Sequence, residues 1–595
     1  PIISMTNSRP FSSNAITTGS ATNGSAAALF EPMRTTSILF LAASILTQVA
    51  CAVGPDPSPV TPNNDLDMGG GDTGEEADMP IIFPDFPLED MGNNPPGDMN
   101  TPPGEDMDTP PEDMRPDMMV VQGDYPKPLE VSAGDSKNKI LLRGLVLTPQ
   151  GPLENGEVLI ENTFITCVGT GCVGRPEASG AIIIDTHGII SPGLIDSHNH
   201  LPYNFLKEWV PPNNQLFTNR YQWADDPSYE EFVRPLTAHR SSNSHFCPAA
   251  RWGELRSLLH GTTTMMGQSF ERTCTQGGVR NADHDHQLQY DHMRTSIGSV
   301  RDINTEAAQG YIDSFDASPE PVTRFAVHMG EGYEGDNIEK EFDSFAGRDE
   351  RSIERHQGLS LLYKETAVLI HSVALTATQF DEVKQTNSKI VWSPSSNMVL
   401  YGRTTDIEKI LELGITVGLG PDWTISGEDN MLGEMQFAKQ WASENGASSI
   451  TSRVLWEMAT SQGAEVVGLQ QHVGTLSEGM TADIVVFTRK SEGQDPYTQL
   501  LESNADDVRL VLIDGEAYYG EATLKAPLAR RDDCEDYDVC GESKFLCVRH
   551  DNEDDFTSSG MIEGLLIDIL EGNGYPADEQ YGRGQDLLPL VDCSR

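Results

Sequence analysis

The 595 residues carry 91 Asp and Glu against 40 Lys and Arg, a formal net charge of −51 at pH 7. That length allows one large domain with appendages, or several domains. An acidic chain without a basic block argues against nucleic acid as a partner, but its charge says nothing about a reaction.

Residue 1 is Pro, and Met33 is the expected initiator, which makes residues 1–32 an over-extended start. Residues 33–51, "MRTTSILFLAASILTQVAC", place Arg34 before an apolar run, Ile38 to Val49, with a small residue ahead of Cys51. The run is shorter than the ~20 residues a membrane span needs. The stretch resembles a bacterial lipoprotein signal, with Gln48 where that motif usually carries Leu. The resemblance implies export to the cell envelope, periplasm or exterior, with Cys51 lipidated as the only membrane link. Plain secretory cleavage is the alternative.

Residues 52–135 are rich in Pro, Gly, Asp and Met, as in "GEDMDTPPEDMRPDMM". From Asp56 to Glu130 nineteen carboxylates face only Arg115 and Lys127. Such a segment buries too little apolar area to offset its ordering entropy and is expected to be a disordered, self-repelling tether.

Two β-rich stretches, 136–190 and 472–525, flank a long middle. Short β-branched runs broken by Gly, Pro and Asn, as in "ILLRGLVLTPQGPLENGEVLIENTFITCVG", predict antiparallel strands, and "TADIVVFTRK" and "DVRLVLIDGEAYYG" repeat the pattern. Together they predict one small β domain built from both ends. The middle, 191–471, alternates strand-like runs with helical ones. "HGTTTMMGQ", "VTRFAVHMGEG", "TAVLIHSVAL", "SKIVWSPSSN" and "GITVGLGPDW" are the strands; Thr376–Gln385 and Thr405–Glu412 are among the helices. Repeated strand–helix units predict a parallel α/β fold closed as a (β/α)8 TIM-type barrel, with its site at the C-terminal strand ends.

Residues 526–595 form a Cys-containing C-terminal extension with one helical run, "SSGMIEGLLIDILEG", and no evident role. Apart from Cys51 the chain holds eight cysteines, and an even number in an exported chain predicts disulfides. Cys167 with Cys172, and Cys247 with Cys274, are the local pairs. Cys534, Cys540, Cys547 and Cys593 lack a C-x-x-C pair, which favours disulfides there over zinc.

Side chains able to bind metal or move protons recur at strand ends: His198 and His200 in "SPGLIDSHNH", His328 and Glu331 in "HMGE", His371, and Asp422. Residues i and i+2 of a strand share a face, so His198 and His200 can aim two imidazoles at one point. Glu331 joins His328 only if the chain turns at Gly330 and Gly332. A second H-x-H, His284-Asp285-His286, lies in the polar run "NADHDHQLQYDH" and is expected to be loop, or at most pocket lining. The insertion from Tyr203 to Ala250, rich in aromatics, is a candidate lid. Trp423 is expected to stack on a flat substrate or to fill the pocket, and Asn397 to fix a loop through backbone hydrogen bonds.

These motifs, in this order, resemble the amidohydrolase superfamily over about 138–525, and within it the mononuclear branch of cytosine and guanine deaminases and triazine chlorohydrolases. "PGLIDSHNH" is similar to its first-strand motif, "HMGE" to its H-x-x-E, and "SPSSNMVLYGR" and "LELGITVGLGPDW" to its seventh and eighth strands. The flanking segments match its composite β-sandwich. The absence of any lysine between Lys207 and Lys340 fits the mononuclear branch, since binuclear members commonly use a bridging lysine. The resemblance implies one divalent ion, zinc or alternatively iron, on His198, His200, His328 and Asp422. It makes Glu331, His371 and Asp422 the catalytic groups of a hydrolase for non-peptide carbon–nitrogen bonds. The substrate is a small molecule, deaminated or opened as a cyclic amide. A lipoprotein of the same fold that binds small molecules without turnover is the alternative. Oligomeric state, native metal and substrate identity are not encoded in any recognisable motif.

Overall fold

The computed structural model describes residues 125–132, 134–234, 243–267, 278–284, 291–296, 299–348, 360–361, 364–532, 534–548, 556–572 and 587–594. The expected start, the signal with Cys51 and most of the acidic tether lie outside them. No helix of the described residues is long and apolar enough to cross a membrane.

The N-terminal strands are β1 (Glu130–Ser132), β2 (Ser136–Thr148), β3 (Gly151–Glu161), β4 (Phe164–Gly169) and β5 (Ala181–Pro192). Short parallel strands follow: β6 (Leu194–Asp196), β7 (Thr262–Met265), β8 (Arg280–Asn281), β9 (Met293–Ser296), β10 (Arg324–Met329), β11 (Ala367–His371), β12 (Lys389–Trp392) and β13 (Val417–Leu419). The chain closes with β14 (Ile484–Phe487), β15 (Val508–Ile513), β16 (Glu516–Glu521), β17 (Glu535–Val539) and β18 (Glu542–Leu546).

The two flanking segments pair with each other. They form one ten-stranded sheet in the order β17-β18-β16-β15-β14-β5-β2-β3-β4, with β1 also paired to β5. The join is antiparallel, Ile189 to Pro192 of β5 against Phe487 to Ile484 of β14. Three details depart from the sequence reading. Strand β1 falls inside the segment expected to be tether. The β2–β5 pairing is parallel rather than antiparallel. The C-terminal extension is not a separate appendage, because β18 pairs with β16 and carries the sheet onward.

The middle of the chain holds two parallel sheets, β6-β7-β8 and β13-β12-β11-β10-β9. Several of their strands, β6 and β11 among them, read as apolar runs because both faces are buried; Ile195, Ala326, Val368, Ile370 and Val391 lie in one core cluster. The helix Ala377–Gln385 starts at a capping box of Thr376 and Gln379, which ends the preceding loop. Strands β8 and β9 escaped the sequence reading, being short and partly polar. The sheets meet beyond β6, where Ser197 N donates to Leu419 O at 3.0 Å and Asn199 bridges to Asp422. That junction sets the loop after the first parallel strand beside the loop after the last.

Candidate metal centre

Each predicted strand-end residue lies at or just past the C-terminal end of its strand. His198 and His200 follow β6, His328 is the penultimate residue of β10, His371 ends β11, and Asp422 follows β13 through Gly420 and Pro421. The β6 strand ends at Asp196, so the two histidines sit on an extended loop rather than on the strand itself. They nevertheless converge. Their ring centroids are 4.9 Å apart, His328 lies 4.9 Å from His198, and His371 lies 5.3 Å from both His198 and His328. Asp422 Oδ1 is 3.1 Å from His198 Nε2 and 3.3 Å from His200 Nε2.

Two overlapping groups among the described residues have metal-ligand spacing: His198, His328 and His371, and His198, His200 and Asp422. The ligand set read from the sequence spans both, and His371 joins it as a further nitrogen within reach. His328 Nδ1 and His371 Nε2 are buried without a hydrogen-bond partner, and His198 Nε2 faces the Asp422 carboxylate. Unpaired buried polar atoms are costly, and a cation shared among them removes that cost. The donor set therefore fits a divalent ion.

The electrostatics agree. Burial pushes the imidazoles of His198 and His371 down to about 4, and that of His328 well below its ordinary value. They are neutral at physiological pH, the state in which an imidazole ligates a metal. Burial by itself would raise Asp422, but the His198 and His200 rings outweigh it and hold the carboxylate well below the usual range. Asp422 Oδ2 also accepts from Ser396 Oγ at 2.7 Å.

Two site residues have left-handed backbone, His371 at φ 68° and Asp422 at φ 71°. Such strain in a non-glycine residue persists only where the surroundings over-determine it. Here Asn397 Oδ1 accepts from His371 Nδ1 at 3.1 Å, which leaves Nε2 unprotonated toward the cluster. Asn397 thus acts through its side chain, not through the backbone hydrogen bonds expected from its sequence context.

Glu331 stands on the predicted turn, with Gly330 at φ 56° and Gly332 at φ 121°. It is 4% exposed. Tyr401 OH donates to its Oε1 at 2.7 Å, and its Oε2 lies 3.7 Å from Arg220 Nη1 and 3.8 Å from His371 Nε2. Burial raises its pKa while the Arg220 charge opposes the rise. Arg220 also pairs with buried Glu341 at 2.8 Å, and Glu341 Oε2 accepts from Gly330 N at 2.9 Å. Sequence reasoning missed Arg220, Glu341 and Tyr401. Arg220 falls within the candidate lid and Tyr401 within the seventh-strand motif, but no local spacing marks either.

The candidate lid packs over this centre. Trp423 is 7% exposed, with its ring 5.4 Å from His200, 5.6 Å from Tyr203 and 5.8 Å from Trp223. Its Nε1 donates to Ser426 Oγ at 2.6 Å. The aromatic wall beside His200 is therefore largely built from the insertion. Of the second H-x-H, His284 ends a short 3-10 turn, while Asp285 and His286 lie outside the described residues.

Disulfides join Cys167 to Cys172, Cys534 to Cys547 and Cys540 to Cys593. The first local pair and the disulfide reading of the C-terminal four thus hold. Cys247 is disulfide-bonded, and its expected partner Cys274 lies outside the described residues.

Residues 316–518 match the amidohydrolase family. The chain is 25% identical to a 5-methylthioadenosine/S-adenosylhomocysteine deaminase of Desulforamulus reducens, over 65% of this chain and 95% of that protein. It is 25% identical to a 5'-deoxyadenosine deaminase of Methanobrevibacter smithii, over 62% of this chain and 88% of that one. Among solved structures it is similar to a guanine deaminase of E. coli, at 16% identity and a TM-score of 0.48, over 64% of this chain and 99% of that chain. Residues 316–518 thus resemble the amidohydrolase family, and that match with the curated relatives supports an enzyme that hydrolyses carbon–nitrogen bonds.

Proposed function

We propose that the chain is a mononuclear, zinc-dependent deaminase of aminated nitrogen heterocycles. In this reading the three- and five-stranded parallel sheets are parts of one (β/α)8 barrel, and the ten-stranded sheet contains the composite β-sandwich. The junction between the loops after β6 and β13 supports the first point, and the β5–β14 pairing the second.

His198, His200, His328 and Asp422 would hold the ion, and His371 stands within reach of it. A divalent ion there would supply a water acidified toward a pKa of ~7 as the nucleophile. Asp422 would take up the proton released at that site. Glu331, buried and facing the histidines, would deliver a proton to a ring nitrogen of the substrate, and the proton held by Asp422 would pass to the amino group, which leaves as ammonia. His371, fixed by Asn397, orients the attack. Tyr203, Trp223 and Trp423 supply flat apolar surface for a planar ring.

The observation that carries this reading is Glu331 Oε2 facing the histidine cluster, 3.8 Å from His371 Nε2. The names of the curated relatives favour purine nucleosides carrying an exocyclic amine as the first substrates to try. A panel of aminated heterocycles and cyclic amides, assayed for ammonia and for acid release, tests it. Ammonia from the heterocycles is expected; acid release from cyclic amides alone would replace deamination by ring opening.

Export is part of the same proposal. The disulfides support an oxidising compartment, and the signal resemblance makes Cys51 the lipidated residue. Loss of the chain from the membrane fraction on Cys51→Ser tests it.

A further inference from the structure

The C-terminal extension, for which the sequence offered no role, is linked to the metal loop by the buried side chain of Arg256. Arg256 lies in the helix Asn243–Leu259 and is 1% exposed. Its guanidinium donates in two directions. On one side it meets the extension, with Nη2 to Leu588 O at 2.7 Å and Nε to Pro589 O at 3.1 Å. On the other, Nη1 donates to Asn204 O.

Asn204 is the knot between the two loops of the centre. Its Nδ2 donates to Asn199 Oδ1 at 2.8 Å, and its Oδ1 accepts from Thr424 N at 3.2 Å. Asn199 in turn donates to Asp196 Oδ2 at 2.6 Å, and Asp196 Oδ1 accepts from His198 N at 3.1 Å. A continuous run of hydrogen bonds therefore links Leu588 and Pro589 to His198, with a branch toward Asp422.

The extension is itself held in place. Trp252 Nε1 donates to Leu588 O at 2.7 Å, and Leu588 N donates to Phe205 O at 3.0 Å. Cys593 is tied to Cys540, beyond the end of β17. Residues 587–594 are thus fastened to the large sheet by a covalent bond, to the loop after β6 by the Leu588–Phe205 backbone bond, and to the helix Asn243–Leu259 through Trp252 and Arg256.

We infer that Arg256 is a positioning residue for the metal centre, and that the Cys540–Cys593 disulfide holds the C-terminal extension against it as a brace on the loop carrying His198 and His200. This inference rests on the metal reading above. Groups that orient metal ligands from behind are worth about 10- to 100-fold in metal affinity, so a loosened brace is expected to weaken metal binding by that factor.

The test is cobalt(II) titration of the full chain, followed by its visible absorption and by competition with a chromogenic chelator. Three variants are compared: Cys540→Ser/Cys593→Ser, Arg256→Lys, and the control Cys167→Ser/Cys172→Ser. The first two are expected to bind cobalt(II) about 10- to 100-fold more weakly with an altered band shape, and the control to match the parent. Hydrogen exchange on the metal-free chain should show faster exchange over residues 196–206 in the first two variants only. If Arg256→Lys fails to fold, the disulfide variant decides. Folded variants with unchanged cobalt affinity and unchanged exchange would overturn the brace. A parent chain that takes up no cobalt would overturn the metal reading and the brace together, whereas cobalt uptake without ammonia release would count only against the deaminase reading.

Discussion

Tyr401 donates its hydroxyl to Glu331 Oε1 at 2.7 Å and receives Trp223 Nε1 on its own oxygen at 2.8 Å. The Glu331 carboxylate, the proposed acid–base group, is therefore tied to the aromatic wall of the insertion through one phenol. Tyr401→Phe keeps the ring volume but leaves Glu331 short of a donor. We expect kcat to fall about 10-fold or more, as the loss of a charge-assisted hydrogen bond of about 1.5–3 kcal/mol implies, with little change in KM. Steady-state kinetics on the best heterocycle check this, and equal kcat in the variant contradicts it.

Glu331→Gln removes the proton carrier while preserving shape. General acid–base groups contribute about 10²- to 10⁴-fold, so kcat should fall within that range. Metal content should stay at the parent level, because Glu331 is not among the proposed ligands. Measuring both on one preparation separates a lost proton carrier from a lost ion.

Asn397→Ala frees His371 Nδ1 and lets the ring choose the other tautomer. Stability should drop by about 1–3 kcal/mol, since the bonds to His371 and Thr404 both go and His371 Nδ1 is left buried and unsatisfied, while turnover drops by more than that energy implies. Thermal unfolding and kcat, measured side by side, show whether the two separate. A proportional fall in both would make Asn397 merely structural.

Much of this site was legible in the sequence because metal chemistry needs particular residue types at strand ends. His198 with His200, then His328, His371 and Asp422, stand at the ends of four separate apolar runs, and only a fold that gathers strand ends makes them one cluster. The turn at Gly330 and Gly332 was legible too, since only a left-handed bend brings Glu331 round to face His371. What surrounds that cluster was not legible. Arg220, Glu341 and Tyr401 meet across large sequence separations, and none has a spacing that distinguishes it from an ordinary surface or core residue. Strands β8 and β9 were missed because each is too short to show a period, and β1 because it sits in acidic, Pro-rich company. The extension's position was hidden for a similar reason, since its bonds to Arg256 and Trp252 use backbone carbonyls that any residue supplies.

Gly267, at φ 115°, shows how tightly the first loop is packed. A Cβ there would lie 1.6 Å from Asn199 O, so Gly267→Ala must push away the loop that carries His198 and His200. A cost of about 1–3 kcal/mol or more is expected from overpacking, together with loss of metal. Gly446→Ala is the comparison: it shares a positive φ of 72° but has open space around it. It should lose some stability to backbone strain and keep its metal.

The most direct test of the central claim is ammonia release from an aminated heterocycle by chain stripped of metal with a chelator and then given back zinc. The account predicts that activity disappears on stripping, returns with about one zinc per chain, and fails to return in Asp422→Ala or His198→Ala. Undiminished ammonia release from the metal-free chain would contradict it.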